Sequence, residues 1–462
     1  MDWNETSPGI FEREFGGAEK VYSHISRSFK VLGREHWGLY CVCTVEVSQS
    51  LAKDIEDTLR TSWLALRQKF PSLAVVPSNA GKRFDVTNAT TSEDWIAKTF
   101  FVKHDADPDD ILASYPLRDL PSIYFFPTLS QIMILSSHWR IDGIGMCMLI
   151  NCFFELVATG VSATVSEPCP ADLNRVSPSM EDALGALAIT ELGPELEAFA
   201  RKYIEDHHRK AVQNGGLPYR GDATSPPGNP ARTAVSFTPT STTALVSACR
   251  RWNISVTSAV HTALAETVFA LSPDSPEQYT VVLSANMRDY LMPPYNSKEH
   301  AVQTYVTGIT PTVVRGGPFR TRAYELTTFY RNWYSESFVR ALRLVYRYHA
   351  EAMTKPTAPQ VNAAPAKPPS NVLLSSLGVV DKVLASQHGQ GMRVVRVKDF
   401  RFGVSMMSRQ MLLYVWTFGG RLNFSINYND GYHSAHDVHG ILRSVRNVLQ
   451  RELEIELVLD DQ

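Results

Sequence analysis

The feature that most limits what this chain can fold into is a short polar turn between two apolar runs. Gln131 to Ser136 reads as a buried strand. Ile144 to Val157 is apolar nearly all round and reads as a buried helix. Between them stands Ser137-His138-Trp139-Arg140-Ile141-Asp142-Gly143, a His-x-x-x-Asp-Gly pattern where a strand gives way to a helix. The turn presents one imidazole at a strand end, with a carboxylate four residues on to fix the local backbone. Histidine is the natural proton acceptor near neutral pH, which makes His138 the candidate general base. Gly143 removes a side chain where the backbone bends.

Chance alone gives roughly 0.04 such matches in a chain of this composition, so the surroundings carry the weight. His433 and Asp437 repeat the spacing, but Val438 replaces the glycine and no buried helix follows. The competing reading of the first motif is a core histidine bonded to backbone, with Asp142 as a helix N-cap. His433, His436 and His439 suit a solvated helix start better than a metal site, and His207-His208 suit an exposed helix face.

At 462 residues the chain exceeds a single core, so two domains are expected. Each mixes strands and helices, which gives an α/β class. The strand-like runs are Trp37 to Val47, Phe100 to Lys103, Tyr279 to Ala285, Tyr305 to Val314, Asn371 to Leu374, and Leu412 to Phe418 followed across Gly419-Gly420 by Leu422 to Tyr428. Helical patterns cover about Ser48 to Phe70, Pro194 to Val212, Ser241 to Arg251 and Thr257 to Leu271. A long tract follows from Arg320 to Met353, and a final helix opens at Ser434. Proline and glycine concentrate at 214–232, read as a linker between an N-terminal half (1–213) and a C-terminal half (233–462). A second Pro- and Ala-rich stretch runs from Lys355 to Ser370. A substrate cleft is expected between the halves.

Net charge is −2 and no basic stripe appears, so nucleic acid is excluded as a partner. The polar, acidic start and the lack of a long apolar run exclude a signal peptide and a membrane span, and place the chain in the cytoplasm. The six cysteines then read as reduced, mostly buried small side chains.

The motif resembles the active-site signature of the CoA-dependent acyltransferase superfamily. This group holds chloramphenicol acetyltransferase, the plant BAHD enzymes and the condensation domains of peptide synthetases. Leu66 to Leu73, Asn286-Met287-Arg288-Asp289-Tyr290-Leu291, Ser375-Ser376-Leu377-Gly378 and Val415 to Leu422 resemble further family segments in the same order. The BAHD Asp-Phe-Gly-Trp-Gly motif survives only in part, as Asp399-Phe400-Arg401-Phe402-Gly403. The likeness is nearest to stand-alone fungal acyltransferases of secondary metabolism, of the trichothecene 15-O-acetyltransferase kind.

The resemblance implies two chloramphenicol-acetyltransferase-like α/β sandwich domains. It also implies acyl-CoA as co-substrate with no bound cofactor and no metal, a small natural product as acceptor, and a monomer. His138 becomes the base. Asp142 is expected to form a buried ion pair with Arg288 that, with Gly143, shapes the turn. Trp139, Ser375 and Ser376 are candidate oxyanion or substrate contacts. Condensation domains carry a histidine where this chain has Ser137, which favours a free-standing enzyme. The alternatives are a cyclase or release enzyme acting on a carrier-protein thioester, and a binding protein of the same fold without chemistry.

Overall fold

Tyr40, Cys41, Val42 and Cys43 are all buried, on both faces of one strand. Such a strand needs a layer on each side. It is the third strand of a six-stranded sheet, one of two such sheets in the chain. The computed structural model describes residues 3–87, 91–161, 167–212, 216–354 and 368–460. In chain order the strands of the two sheets are β1 (Leu39–Val47), β2 (Phe100–Val102), β3 (Ser122–Phe126), β4 (Gln131–Ser136), β5 (Pro230–Ser236), β6 (Leu283–Asn286), β7 (Val306–Ile309), β8 (Val372–Val379), β9 (Gln387–Gln390), β10 (Arg393–Val404), β11 (Met411–Phe418) and β12 (Arg421–Asn429). The helices used below are α1 (Gly17–Ser26), α2 (Ile55–Lys69), α3 (Gly143–Thr159), α4 (Pro239–Arg251), α5 (Val256–Leu271) and α6 (Ala435–Leu453).

The chain forms two compact units. The first comprises residues 1–186, 286–306 and 380–404; the second takes the remainder. In the first unit the sheet order is β9-β10-β1-β4-β3-β2. α2 and α3 pack together, and Trp63 of α2 stacks on Trp95 with ring centroids 5.3 Å apart and donates its indole N–H to Thr99 at 3.1 Å. A four-stranded sheet of Asn4–Ser7, Ile10–Arg13, Gly81–Asp85 and Val76–Ser78 belongs to the same unit and had no clear sequence signal. In the second unit the order is β7-β6-β8-β11-β12-β5. Its core lies under α4, α5 and α6, with Phe237, Leu264, Phe424 and Leu442 all fully buried.

The expected division into 1–213 and 233–462 does not describe these units. β10 pairs along its length with β1, from Val395 opposite Val47 to Val404 opposite Leu39, so the first unit draws a strand from far down the chain. The helix Pro194–Val212 belongs to the second unit, where it packs on the helix Leu342–Thr354. Residues 214 and 215 of the expected linker, and 355–367 of the Pro- and Ala-rich stretch, lie outside the described residues. From 216 onward the linker is bound along the second unit: Leu217 donates its N–H to Ser370 O at 3.0 Å and Arg220 to Tyr432 O at 2.8 Å.

Four expected elements are divided. Tyr279 to Ala285 splits because Gln278–Thr280 pairs with Thr312–Val314, whereas β6 joins the large sheet; Tyr305 to Val314 splits for the same reason. The tract from Arg320 is three helices, Phe319–Asn332, Glu336–Arg340 and Leu342–Thr354. The sequence reading of Ser48 to Phe70 as one helix gives way to Gln49–Ala52 and α2.

If β10 is integral to the first unit, then Phe402→Ala, which empties a 1 % exposed site opposite Cys41, lowers stability by about 3–5 kcal/mol. A urea midpoint equal to that of the unsubstituted protein contradicts this.

Candidate functional site

β4 ends at Ser136, and a tight turn closes with the Arg140 N–H on Ser137 O at 3.0 Å. α3 starts three residues later with Asp142 as N-cap. The Asp142 carboxylate is 0 % exposed and fully partnered. Oδ1 accepts from the Gly145 N–H at 2.8 Å, and Oδ2 from the Tyr305 N–H at 2.7 Å. Arg288 Nη1 donates to both oxygens at 2.8 Å. The two readings of Asp142, helix cap and ion-pair partner, are therefore one arrangement. Arg288 also reaches Gln303 O through Nη2 at 3.4 Å and lies over the Tyr305 ring. The pair ties the start of α3 to the segment 286–305, both within the first unit. A carboxylate buried this deeply is tolerable only with such partners.

Gly143 is the first residue of α3, and two residues on Gly145 is under steric demand. A Cβ there meets Ala301 O at 2.3 Å and Arg288 Nη2 at 2.9 Å. The Gly143-Ile144-Gly145 spacing was the available sequence signal for this close approach.

His138 is 8 % exposed. Its ring stacks on Tyr22, centroids 4.2 Å apart and planes 15° from parallel, and Trp37 stands tilted at 6.4 Å. The His138 carbonyl accepts from Thr304 Oγ1. Burial pushes the imidazole pKa down to about 4, against the pull of its own backbone carbonyl and Asp142. That carbonyl acts electrostatically, because Nδ1 meets no partner in hydrogen-bond geometry. The ring is therefore neutral throughout the physiological range, the form that accepts a proton. Ser137 bonds Glu35, which burial raises to about 8 and so keeps protonated at pH 7.

Trp139 is 3 % exposed, edge-to-face with Phe15 at 5.2 Å, with the Arg140 guanidinium over its ring. It sits in an apolar cluster with Tyr22, Val75, Phe84 and Val306. Ser375 and Ser376 are half-buried on β8 of the second unit. Ser375 is opposite Tyr414, and Ser376 shares a hydrogen bond with Thr257 at 3.0 Å. His138, Trp139, Asp142, Gly143 and Arg288 are thus gathered in one unit and the two serines belong to the other. Tyr22, Gly145, Gln303, Thr304 and Tyr305 were not anticipated.

Among the described residues no group of three or more His, Cys, Asp or Glu is arranged to hold a metal ion. His433 is buried, not solvated as expected, with Nε2 2.8 Å from Arg409 O. His207 and His208 are half-buried, not on an exposed face, because His349 of the neighbouring helix packs against both rings.

No family model matches the chain. Among curated proteins it is 45 % identical over 459 residues to O-acetyltransferase pigM of Monascus ruber, covering 99 % of this chain and 88 % of that one. It is 40 % identical over 452 residues to azaphilone biosynthesis cluster protein M of Aspergillus terreus, covering 97 % and 98 %. Among solved structures, trichothecene 15-O-acetyltransferase TRI3 of Fusarium sporotrichioides superposes with a TM-score of 0.79 at 16 % identity, over 97 % of each chain. At that identity the last likeness is one of fold.

Two outcomes follow from the geometry. Gly145→Ala drives a Cβ against Ala301 O and Arg288 Nη2 and costs about 1–3 kcal/mol, the range for an overpacked buried site; an unchanged denaturation midpoint argues against the close contact. The second concerns pH. The folded pKa of His138 lies below the ordinary 6.5, so the unfolded chain binds more protons between pH 6.5 and 4. Stability from this group is complete above 6.5 and is lost as pH falls toward 4, by about 3 kcal/mol. His138→Gln therefore shows a shallower acid-side decline in thermal midpoint than the parent protein.

Proposed function

The chain belongs to the fungal O-acetyltransferase family that includes pigM, and from that membership we propose that it moves an acetyl group from acetyl-CoA to a hydroxyl of a small natural product, with His138 as general base. That it is an acyltransferase follows from the family; the donor, the acceptor and the role of each residue are the proposal. The observation that carries it is a neutral imidazole held at a rigid strand-to-helix turn by the Asp142–Arg288 pair.

An alcohol is a poor nucleophile at neutral pH, so its proton must leave as the bond to carbon forms. In the proposed step the acceptor hydroxyl gives its proton to the His138 ring while its oxygen attacks the thioester carbonyl. The tetrahedral oxyanion collapses, the C–S bond breaks, and the imidazolium returns the proton to the CoA thiolate. The ester and free CoA leave, and the histidine is neutral again. A low pKa makes the imidazolium a strong acid for that last transfer. The oxyanion needs a donor. Of the candidates, Trp139 lies in the same unit as His138, among apolar neighbours, and Ser375 and Ser376 lie in the other unit.

One relative's name places that protein in azaphilone biosynthesis, so an azaphilone alcohol is the first acceptor to try, with an amine analogue beside it. Mass spectrometry of the product after incubation with acetyl-CoA is expected to show the acetylated alcohol. His138→Ala is expected to cut the rate by about 10²–10⁴-fold in a folded protein. Wild-type turnover in that variant removes His138 as the base. Product from an acetylated carrier protein, with none from acetyl-CoA, removes the proposed donor.

A further inference from the structure

The ring nearest the proposed base comes from outside the motif. α1 carries Tyr22, whose ring lies parallel to the His138 imidazole at 4.2 Å. α1 is itself pinned. Glu19, three residues before Tyr22, closes the first turn by accepting the Gly16 N–H at 2.7 Å. Its carboxylate is ion-paired with Lys82 and accepts from Gln303 Nε2 at 2.7 Å. Glu19 and Lys82 are 1 % and 3 % exposed. The backbone carbonyl of Gln303 in turn accepts from Arg288. One connected path therefore runs from Asp142 through Arg288, Gln303 and Glu19 into α1, and returns to His138 through the Tyr22 ring.

We infer that Tyr22 is a positioning residue for His138: its ring sets the plane of the imidazole and keeps water off the face it covers. This rests on His138 being the base. Stacking of two rings contributes only about 0.5–1.5 kcal/mol, but its effect is on direction. A base misplaced by about 1 Å costs on the order of 10²-fold in rate. Trp37, at 6.4 Å and tilted by 41°, is too distant and too oblique to substitute. The hydroxyl of Tyr22 plays no part in the proposal, so phenylalanine preserves the role. The charge acting on the imidazole is that of Asp142, which Arg288 neutralises; removal of the Tyr22 ring changes hydration and leaves that charge in place.

The test compares Tyr22→Phe, Tyr22→Leu and Tyr22→Ala in the full chain. One readout is steady-state kinetics with acetyl-CoA and whichever acceptor yields product. The other needs no substrate: the titration of His138 followed by NMR of histidine-labelled protein, its signal identified by loss in His138→Ala. Tyr22→Phe is expected to keep kcat within about twofold and the titration near pH 4. Tyr22→Leu and Tyr22→Ala are expected to lower kcat by about 10²-fold with KM within about threefold. Both also move the titration upward by about one pH unit or more, toward 6.5, as water reaches the ring. Leucine fills only part of the volume of the ring, which supports the helix while opening the imidazole face, so the proposal stays testable if the alanine variant fails to fold. Unchanged kcat and titration overturn it, as does a loss of thermal stability or rate with the titration unmoved. If His138→Ala retains activity, the base assignment fails on its own evidence, separately from any shift seen on changing Tyr22.

Discussion

The buried pair between Asp142 and Arg288 is the interaction on which the site depends. Each charge removed from water costs several kcal/mol unless every lone pair and proton finds a partner. Here the carboxylate accepts from two backbone N–H groups as well as the guanidinium. The result is a single junction where a strand end, a helix start and a distant segment are held together. The imidazole four residues before the aspartate inherits that rigidity. A base on a loop lacks it, and preorganised geometry is where much of a catalytic site's power lies.

Burial serves the chemistry in a second way. The surroundings of His138 are aromatic and nearly dry, which holds the ring neutral. The cost is lower basicity. A general base gains from a pKa near the working pH, so the step proposed for His138 rests on geometry and on proton return to the leaving thiolate more than on basic strength. Glu35, kept protonated beside Ser137, adds no negative charge to the turn at neutral pH.

Much of this was legible in the residues. The strand Gln131–Ser136 and the helix after Asp142 stand where apolar periodicity put them, because a buried run flanked by a capping residue leaves little choice. The Asp142–Arg288 pairing was implied by family resemblance and is present. Gly145, Thr304, Tyr305, Gln303 and Tyr22 were not anticipated, because each acts across more than a hundred residues of sequence and looks ordinary in its own neighbourhood. Strand signals at Tyr279 to Ala285 and Tyr305 to Val314 were real, but β-propensity does not reveal where a chain changes partner. The Pro- and Gly-rich stretch after 215 looked free for want of apolar residues, yet its backbone groups bond to the second unit. Domain limits were the least legible feature, since composition cannot show that β10 returns to β1.

That return bears on how the molecule is made. A nascent chain that has emerged only to residue 213 carries β1, β2, β3 and β4 but neither β9 nor β10. β1, which is interior in the finished sheet, is then an open edge of hydrophobic residues, the kind that pairs with any strand it meets. The first unit closes only once the chain has left the ribosome as far as Val404, the end of β10. Synthesis of this protein therefore includes a long interval in which its first-made half must be kept from its neighbours, and a truncated N-terminal half is a poor candidate for an independently soluble fragment.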